Sequence, residues 1–169
     1  MQNARAAESQ LKPACVIISM ISYEKDEELD ARITEIADTL GMGHVDMSRV
    51  ICIRSRGSKS RYVLARCHTL PRIVQTAFKV KPHYMIEVVS EKFDRLPREE
   101  QDRTLIHELM HIPKSFGGGF RHHRPYVNRR TVERMYRLYL KNKGKDEDGR
   151  GSLLERLLPE RIRGDRVQR

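Results

Sequence analysis

The run His107-Glu108-Leu109-Met110-His111-Ile112-Pro113 constrains this chain more than any other segment. Four residues of α-helix turn through about 400°, so His107 and His111 share one face, a turn apart. Pro113 disfavours helical geometry in the residue before it, so the helix has to stop near His111. Glycines 117, 118 and 119 follow, and they let the chain reverse towards the helix end it has just left. Any fold must therefore carry a helix whose last turn presents two imidazoles, with a loop coming back over them.

Two imidazoles at that spacing can bind one zinc ion, and a catalytic site needs a third protein ligand and an open position. Glu108 sits beside His107, where its carboxylate can take a proton from a water that zinc has made acidic. His123, beyond the glycine reversal, is the first choice for third ligand. His122 competes with it, since neighbouring side chains usually point different ways. Glu133 is another candidate, although it can equally pair with Arg137 at i,i+4. His44, His68 and His83 lack any spacing argument and read as packed or surface histidines. Arg121, Arg124 and Tyr126 are candidates to stabilise an oxyanion only by their nearness to the loop.

The length of 169 residues suits one domain with tails. Residues 1–13 read as a flexible arm, 14–142 as the folded domain and 143–169 as a charged, mobile tail. Ala14 to Ser22 fits either a strand or a packed arm. Helical spacing of Leu29, Ile33, Ile36, Ala37 and Leu40 predicts a helix over 25–40 that Gly41 and Gly43 stop. Short strands are expected at 50–53 and 62–67, with a basic turn-rich loop at 55–61 between them. Residues 70–78 fit helix or strand, and 84–89 a strand. Pro97 marks the first turn of the zinc helix. A last helix is expected over about 128–140. Strands and helices of this kind imply an α+β fold. The apolar cluster Leu153–Leu158 reads either as a docking helix for a partner or as a helix packing on its own domain.

Charge narrows the partners. The net charge is +10 and unevenly spread. Residues 24–48 carry eight acids and two bases, whereas 49–72 carry seven bases and no acid, and 121–145 nine bases and one acid. Arg54, Arg56, Lys59 and Arg61 crowd one glycine–serine stretch, which predicts weak, sequence-independent binding to DNA or RNA. A solvated cationic surface is the competing reading. No apolar run is long enough to cross a bilayer. The N-terminus lacks the basic and apolar regions of a secretory signal, so a cytoplasmic location is expected. Cys15, Cys52 and Cys67 are too few and scattered for a disulfide framework, and none forms a CxxC pair.

The run from Leu105 to Pro113, followed by Gly-Gly-Phe-Arg-His-His, resembles the archaeal and phage metallopeptidases, which look like distant relatives of the SprT-like (Spartan-type) proteases. Arg54 to Arg61 and Lys81 to Glu87 also look like this group. The resemblance spans roughly residues 25–141. It implies a minimal zincin-like fold, with a small β-sheet packed on the HExxH helix and a further C-terminal helix. It implies one Zn2+ per chain, held by His107, His111 and a histidine of the returning loop, with Glu108 as base and a protein or peptide as substrate. The family's loop carries Pro-His where this chain has His122-His123, and that pattern falls on His123. Two other readings stand beside this one. The first is a metal-dependent RNA hydrolase similar to the YbeY family, which uses an HxxxH helix and a later histidine without the glutamate. The second is a nucleic-acid-binding module whose zinc is structural, closed by a fourth ligand.

Overall fold

The computed structural model describes residues 20–157, with side chains over 20–145. The arm 1–13, most of the segment 14–22 and the side chains of the Leu153–Leu158 cluster lie outside the described residues.

The first helix, α1 (Glu27–Thr39), is written into its sequence. Asp26 caps it by accepting from the Leu29 N–H at 2.9 Å, and Glu27, Glu28 and Asp30 in the first turn suit the helix dipole. Leu29, Ile33, Ile36 and Ala37 face inward and are buried. Gly41, at φ +63°, turns the chain out of the helix.

Four strands form one mixed sheet: β1 (Ser22–Lys25), β2 (Val50–Arg56), β3 (Ala65–Thr69) and β4 (Tyr84–Val89), in the order β1-β2-β4-β3. The β2–β4 pair is parallel, whereas β1–β2 and β3–β4 are antiparallel. Cys52 and Cys67 both register against Ile86, so the three residues make a row across the sheet. Cys52 and Ile86 are fully buried, as period-2 alternation requires of the face turned to the helices.

The remaining helices are α2 (Arg72–Phe78), the one-turn α3 (Ser90–Phe93), α4 (Arg98–Met110) and α5 (Arg129–Leu157). Pro97 takes the cap position of α4, and His111 closes its other end. Leu105, Ile106 and Leu109 of α4 are fully buried against the core. A buried ion pair ties α4 to α1: Arg32 reaches Asp102 with Nε at 2.9 Å and a terminal nitrogen at 2.6 Å. Arg32 also donates to Gln101 Oε1 and to the Arg98 carbonyl, so its guanidinium is well satisfied. Tyr136 and Tyr139 of α5 are buried, and the Tyr139 hydroxyl donates to Glu35 on α1. The result is an α+β fold with the HExxH helix packed beneath a small sheet. No helix among the described residues is long and apolar enough to cross a membrane.

Several sequence expectations shift. The second strand begins at Ala65, and Tyr62 is 88% exposed in the loop before it. Residues 72–78 are helical. Strand β2 runs on to Arg56, so Arg54 belongs to a strand and not to the basic loop. Helix α5 continues past Leu140 to Leu157. No proline interrupts the sequence between Pro125 and Pro159, and glycines 144, 149 and 151 inside the helix cost only about 1 kcal/mol each relative to Ala.

Candidate metal centre

Helix α4 places the imidazoles of His107 and His111 one above the other at its C-terminal end, and the returning loop lays His123 over both. The Nε2 atoms of His107 and His111 lie 3.2 Å apart, and those of His107 and His123 lie 3.3 Å apart. A tetrahedral zinc with arms of roughly 2.0–2.1 Å would hold its ligand nitrogens about 3.3 Å apart. The three nitrogens fit such an ion. Their protonation fits as well. His111 Nδ1 lies 2.7 Å from the Arg121 carbonyl oxygen, which can only accept, so Nδ1 carries the proton and Nε2 presents its lone pair. Burial, followed by the neighbouring His111 and His123, holds the His107 pKa down to about 4. The imidazole is therefore neutral and free to donate an electron pair at neutral pH.

The loop is held by contacts remote in sequence. The hydroxyl of Tyr84, on β4, accepts from the Gly118 N–H at 2.9 Å and donates to the Gly119 carbonyl at 3.0 Å. Thr69, at the end of β3, donates to the Gly118 carbonyl at 3.1 Å. Gly118 has φ +82°, and a Cβ there would meet Gln75 Nε2 at 2.6 Å. Of the three glycines this one is required. Phe116 packs on the Tyr84 ring at 4.9 Å between centroids, which anchors the start of the reversal. The Arg121 N–H then bonds the His111 carbonyl at 2.8 Å and brings His123 onto the helix end.

Glu108 is 7% exposed and points at β3. Burial pushes its carboxyl up to about 7, and a hydrogen bond from the Cys67 N–H offsets only part of that. The source of that bond follows from the strand's register. Val89 donates to the Leu64 carbonyl and Leu70 to the His83 carbonyl, so even-numbered residues bond β4. The main-chain groups of 65, 67 and 69 therefore turn to the open edge of β3. An open cleft runs between this edge and α4, lined by Leu64 to His68, His107, Glu108, His111 and His123 among others. The arrangement combines a site for an ion, a proton acceptor and an unpaired strand edge.

The other sequence candidates lie elsewhere. His122 is exposed and falls outside the converging set. Glu133 is also outside it, because Arg103 and Arg137 take its two carboxylate oxygens at 3.1 and 2.9 Å. Arg54 is a correction to the basic cluster. It is clamped by Asp26 at 2.6 Å and Asp94 at 2.5 Å, acids brought to it from 28 and 40 residues away. Arg56, Lys59 and Arg61 are exposed and have no ion-pair partner among the described residues. Of the oxyanion candidates, Arg121 lines the cleft, with its guanidinium 5.0 Å from the centre of the Tyr126 ring, whereas Arg124 and Tyr126 do not line it. His68, read from sequence as unremarkable, lies in the cleft wall with Nε2 2.8 Å from the buried Glu87. The thiols of Cys52 and Cys67 are free, and burial raises the pKa of each, that of Cys67 to about 12.

No curated protein and no solved structure matches the chain. Residues 21–141, more than half of the chain, match a family model described as "Putative phage metallopeptidase".

Proposed function

The chain belongs to the phage metallopeptidase family, and from that premise we propose that it hydrolyses peptide bonds with one zinc ion held by His107, His111 and His123. The family implies a metal, and an all-imidazole donor set suits zinc. The observation that carries the reading is the convergence of three imidazole nitrogens, those of His111 and His123 at 3.2 and 3.3 Å from that of His107 and all within 4.8 Å of one another, beside a buried carboxyl. When bound, zinc supplies Lewis acidity to water and to a substrate carbonyl.

The chain's own residues do the rest. Glu108, its pKa lifted by burial to about 7, takes a proton from the attacking water and returns it to the leaving amine. The Arg121 carbonyl holds the tautomer and orientation of His111. The open edge of β3 offers the main-chain groups of residues 65 and 69 to an extended peptide, which would add to the sheet as a further strand. Cys67 between them orients Glu108. The zinc helix, the returning histidine and the small sheet support the distant SprT-like kinship read from the sequence.

Three converging ligands, with no fourth among the described residues, favour a hydrolytic centre over a structural zinc. The position of Glu108 beside them favours peptide over RNA as substrate. A second interaction rests on Arg56, at the end of β2, and on Lys59 and Arg61, on the loop leading into the cleft wall; all three are exposed and suit weak binding of nucleic acid.

The test is digestion of a peptide mixture by the zinc-loaded protein, with products read by mass spectrometry. Cleavage should stop on chelation, return with zinc and be absent from Glu108→Gln. Hydrolysis of RNA with no cleavage of any peptide would replace this reading by the alternative one.

A further inference from the structure

The cleft carries more positive charge than its metal chemistry uses. Arg66, Arg103, Arg121, Arg129, Arg130 and Arg137 line it, against the carboxylates of Glu100, Glu108 and Glu133, and no lysine does. Three of these arginines are already engaged. Arg66 pairs with Glu87, Arg103 with Glu99, Glu100 and Glu133, and Arg137 with Glu133. Arg121, Arg129 and Arg130 have no carboxylate partner among the described residues. Arg129 and Arg130 are exposed and stand in the first turn of α5, which contains no acid. Cations there oppose the helix dipole, so the arrangement does not serve the stability of α5.

Their distance from the hydrolytic centre defines what they can touch. Arg103 and His107 lie one turn apart on α4, about 6 Å along its axis. Arg103 bonds Glu133 of α5 at 3.1 Å, and Arg129 and Arg130 stand about one turn earlier, between Glu133 and the His123 that lies on His107, so the first turn of α5 flanks the metal end of the cleft. An extended peptide advances about 3.3 Å per residue, so side chains within about two residues of the bond being cut come alongside this turn.

We propose that Arg129 and Arg130 select peptide substrates carrying Asp or Glu within about two residues of the scissile bond. This deepens the peptidase reading and rests on it. A guanidinium binds a single carboxylate through two parallel hydrogen bonds, a geometry that an ammonium does not reproduce. Glu100 and Glu133 in the same wall favour this over a nucleic-acid strand. Paired with Arg103 and Arg137, they lower the net positive charge of this wall, which weakens its hold on a continuous row of phosphates more than on a single acidic side chain.

The experiment measures binding separately from cleavage. Zinc-loaded Glu108→Gln protein is titrated with a fluorescent peptide bearing Glu at the flanking positions and with its Gln counterpart. The acidic peptide should bind about tenfold tighter, as a charge-assisted pair worth about 1.4 kcal/mol would give. The preference should shrink with salt. Arg129→Glu with Arg130→Glu, on the same background, should invert it towards a Lys peptide while zinc content stays the same. In the active enzyme, cleavage-site profiling should show Asp and Glu enriched at the same positions.

Equal binding of the Glu and Gln peptides overturns the proposal whatever the enzyme cleaves. So does an affinity for duplex DNA that the double variant abolishes while the peptide preference survives. Selective binding of the acidic peptide by a protein that hydrolyses nothing leaves the proposal standing and removes the peptidase reading.

Discussion

His111 and Arg121 are bonded to each other twice, through the Arg121 N–H to the His111 carbonyl at 2.8 Å and through His111 Nδ1–H to the Arg121 carbonyl at 2.7 Å. The first bond fixes where the returning loop sits and the second fixes which nitrogen of His111 is free. The metal-facing geometry is thus a property of the loop as much as of the helix, and the loop is held from beneath by Tyr84.

Tyr84→Phe should therefore loosen the site without touching a ligand. It leaves the Gly118 N–H and the Gly119 carbonyl, which are only partly shielded from water, without their partner, a loss of about 1 kcal/mol. Zinc affinity should fall roughly 10–100-fold, as for loss of an outer-shell contact. Competition with a chromophoric chelator measures it, and an unchanged affinity would show that the loop holds itself.

His123→Ala should reduce zinc affinity by more than that roughly 10–100-fold, because it removes a ligand and not a support. His122→Ala and Glu133→Ala should keep one zinc per chain. Elemental analysis after dialysis separates them. Retention of zinc by His123→Ala with loss in Glu133→Ala would reassign the third ligand.

Glu108 gives a pH signature in the metal-free protein. Its folded pKa of about 7 lies above the ordinary 4.5, so the folded state holds that proton more tightly than the unfolded chain. The resulting stabilisation is complete below about pH 4.5 and is lost as pH rises through about 7, an effect of roughly 3 kcal/mol. His107, with its pKa lowered to about 4, acts in the opposite sense, so the wild-type curve alone is not diagnostic. The difference between wild type and Glu108→Gln isolates the carboxyl. The variant should gain on wild type between about pH 5 and about pH 8, measured by urea unfolding after chelation. A difference that does not change with pH would mean that Glu108 is solvated.

Asp102→Ala should destabilise the fold by about 3–5 kcal/mol, since it strands the buried Arg32 guanidinium. Arg32→Met combined with Asp102→Leu should recover most of the loss. Urea midpoints check both. A small effect of Asp102→Ala would show that Gln101 and the Arg98 carbonyl satisfy Arg32 alone.

With Arg54 already paired, three charges of the basic cluster remain, Arg56 at the end of β2 and Lys59 and Arg61 on the loop after it. Binding to duplex DNA should show a log–log salt slope of about −2 to −3, which Arg56→Ser, Lys59→Ser and Arg61→Ser together should flatten. Filter binding across a salt series reads it. Identical slopes in wild type and the triple variant would assign any DNA binding to another surface.

The sequence alone determined what local geometry controls. The His107–His111 spacing, the proline stop, the glycine reversal, the cap at Asp26 and the burial stripe of α1 all act within a few residues, where helix period and backbone sterics leave little choice. The α+β class followed from the same periodicities. It ranked His123 ahead of His122 and Glu133 but could not place any of them, because that depends on where the loop lands relative to α4 and on the arginines that capture Glu133. The pairing of Arg54 with Asp26 and Asp94, and of Tyr84 with the Gly118 turn, joins residues 28 to 40 positions apart with no periodic trace between them. The open edge of β3, the orientation of the Cys67 N–H and the raised pKa of Glu108 depend on strand order and burial. Both are set by the packing of the whole chain, and only the tertiary structure decided them.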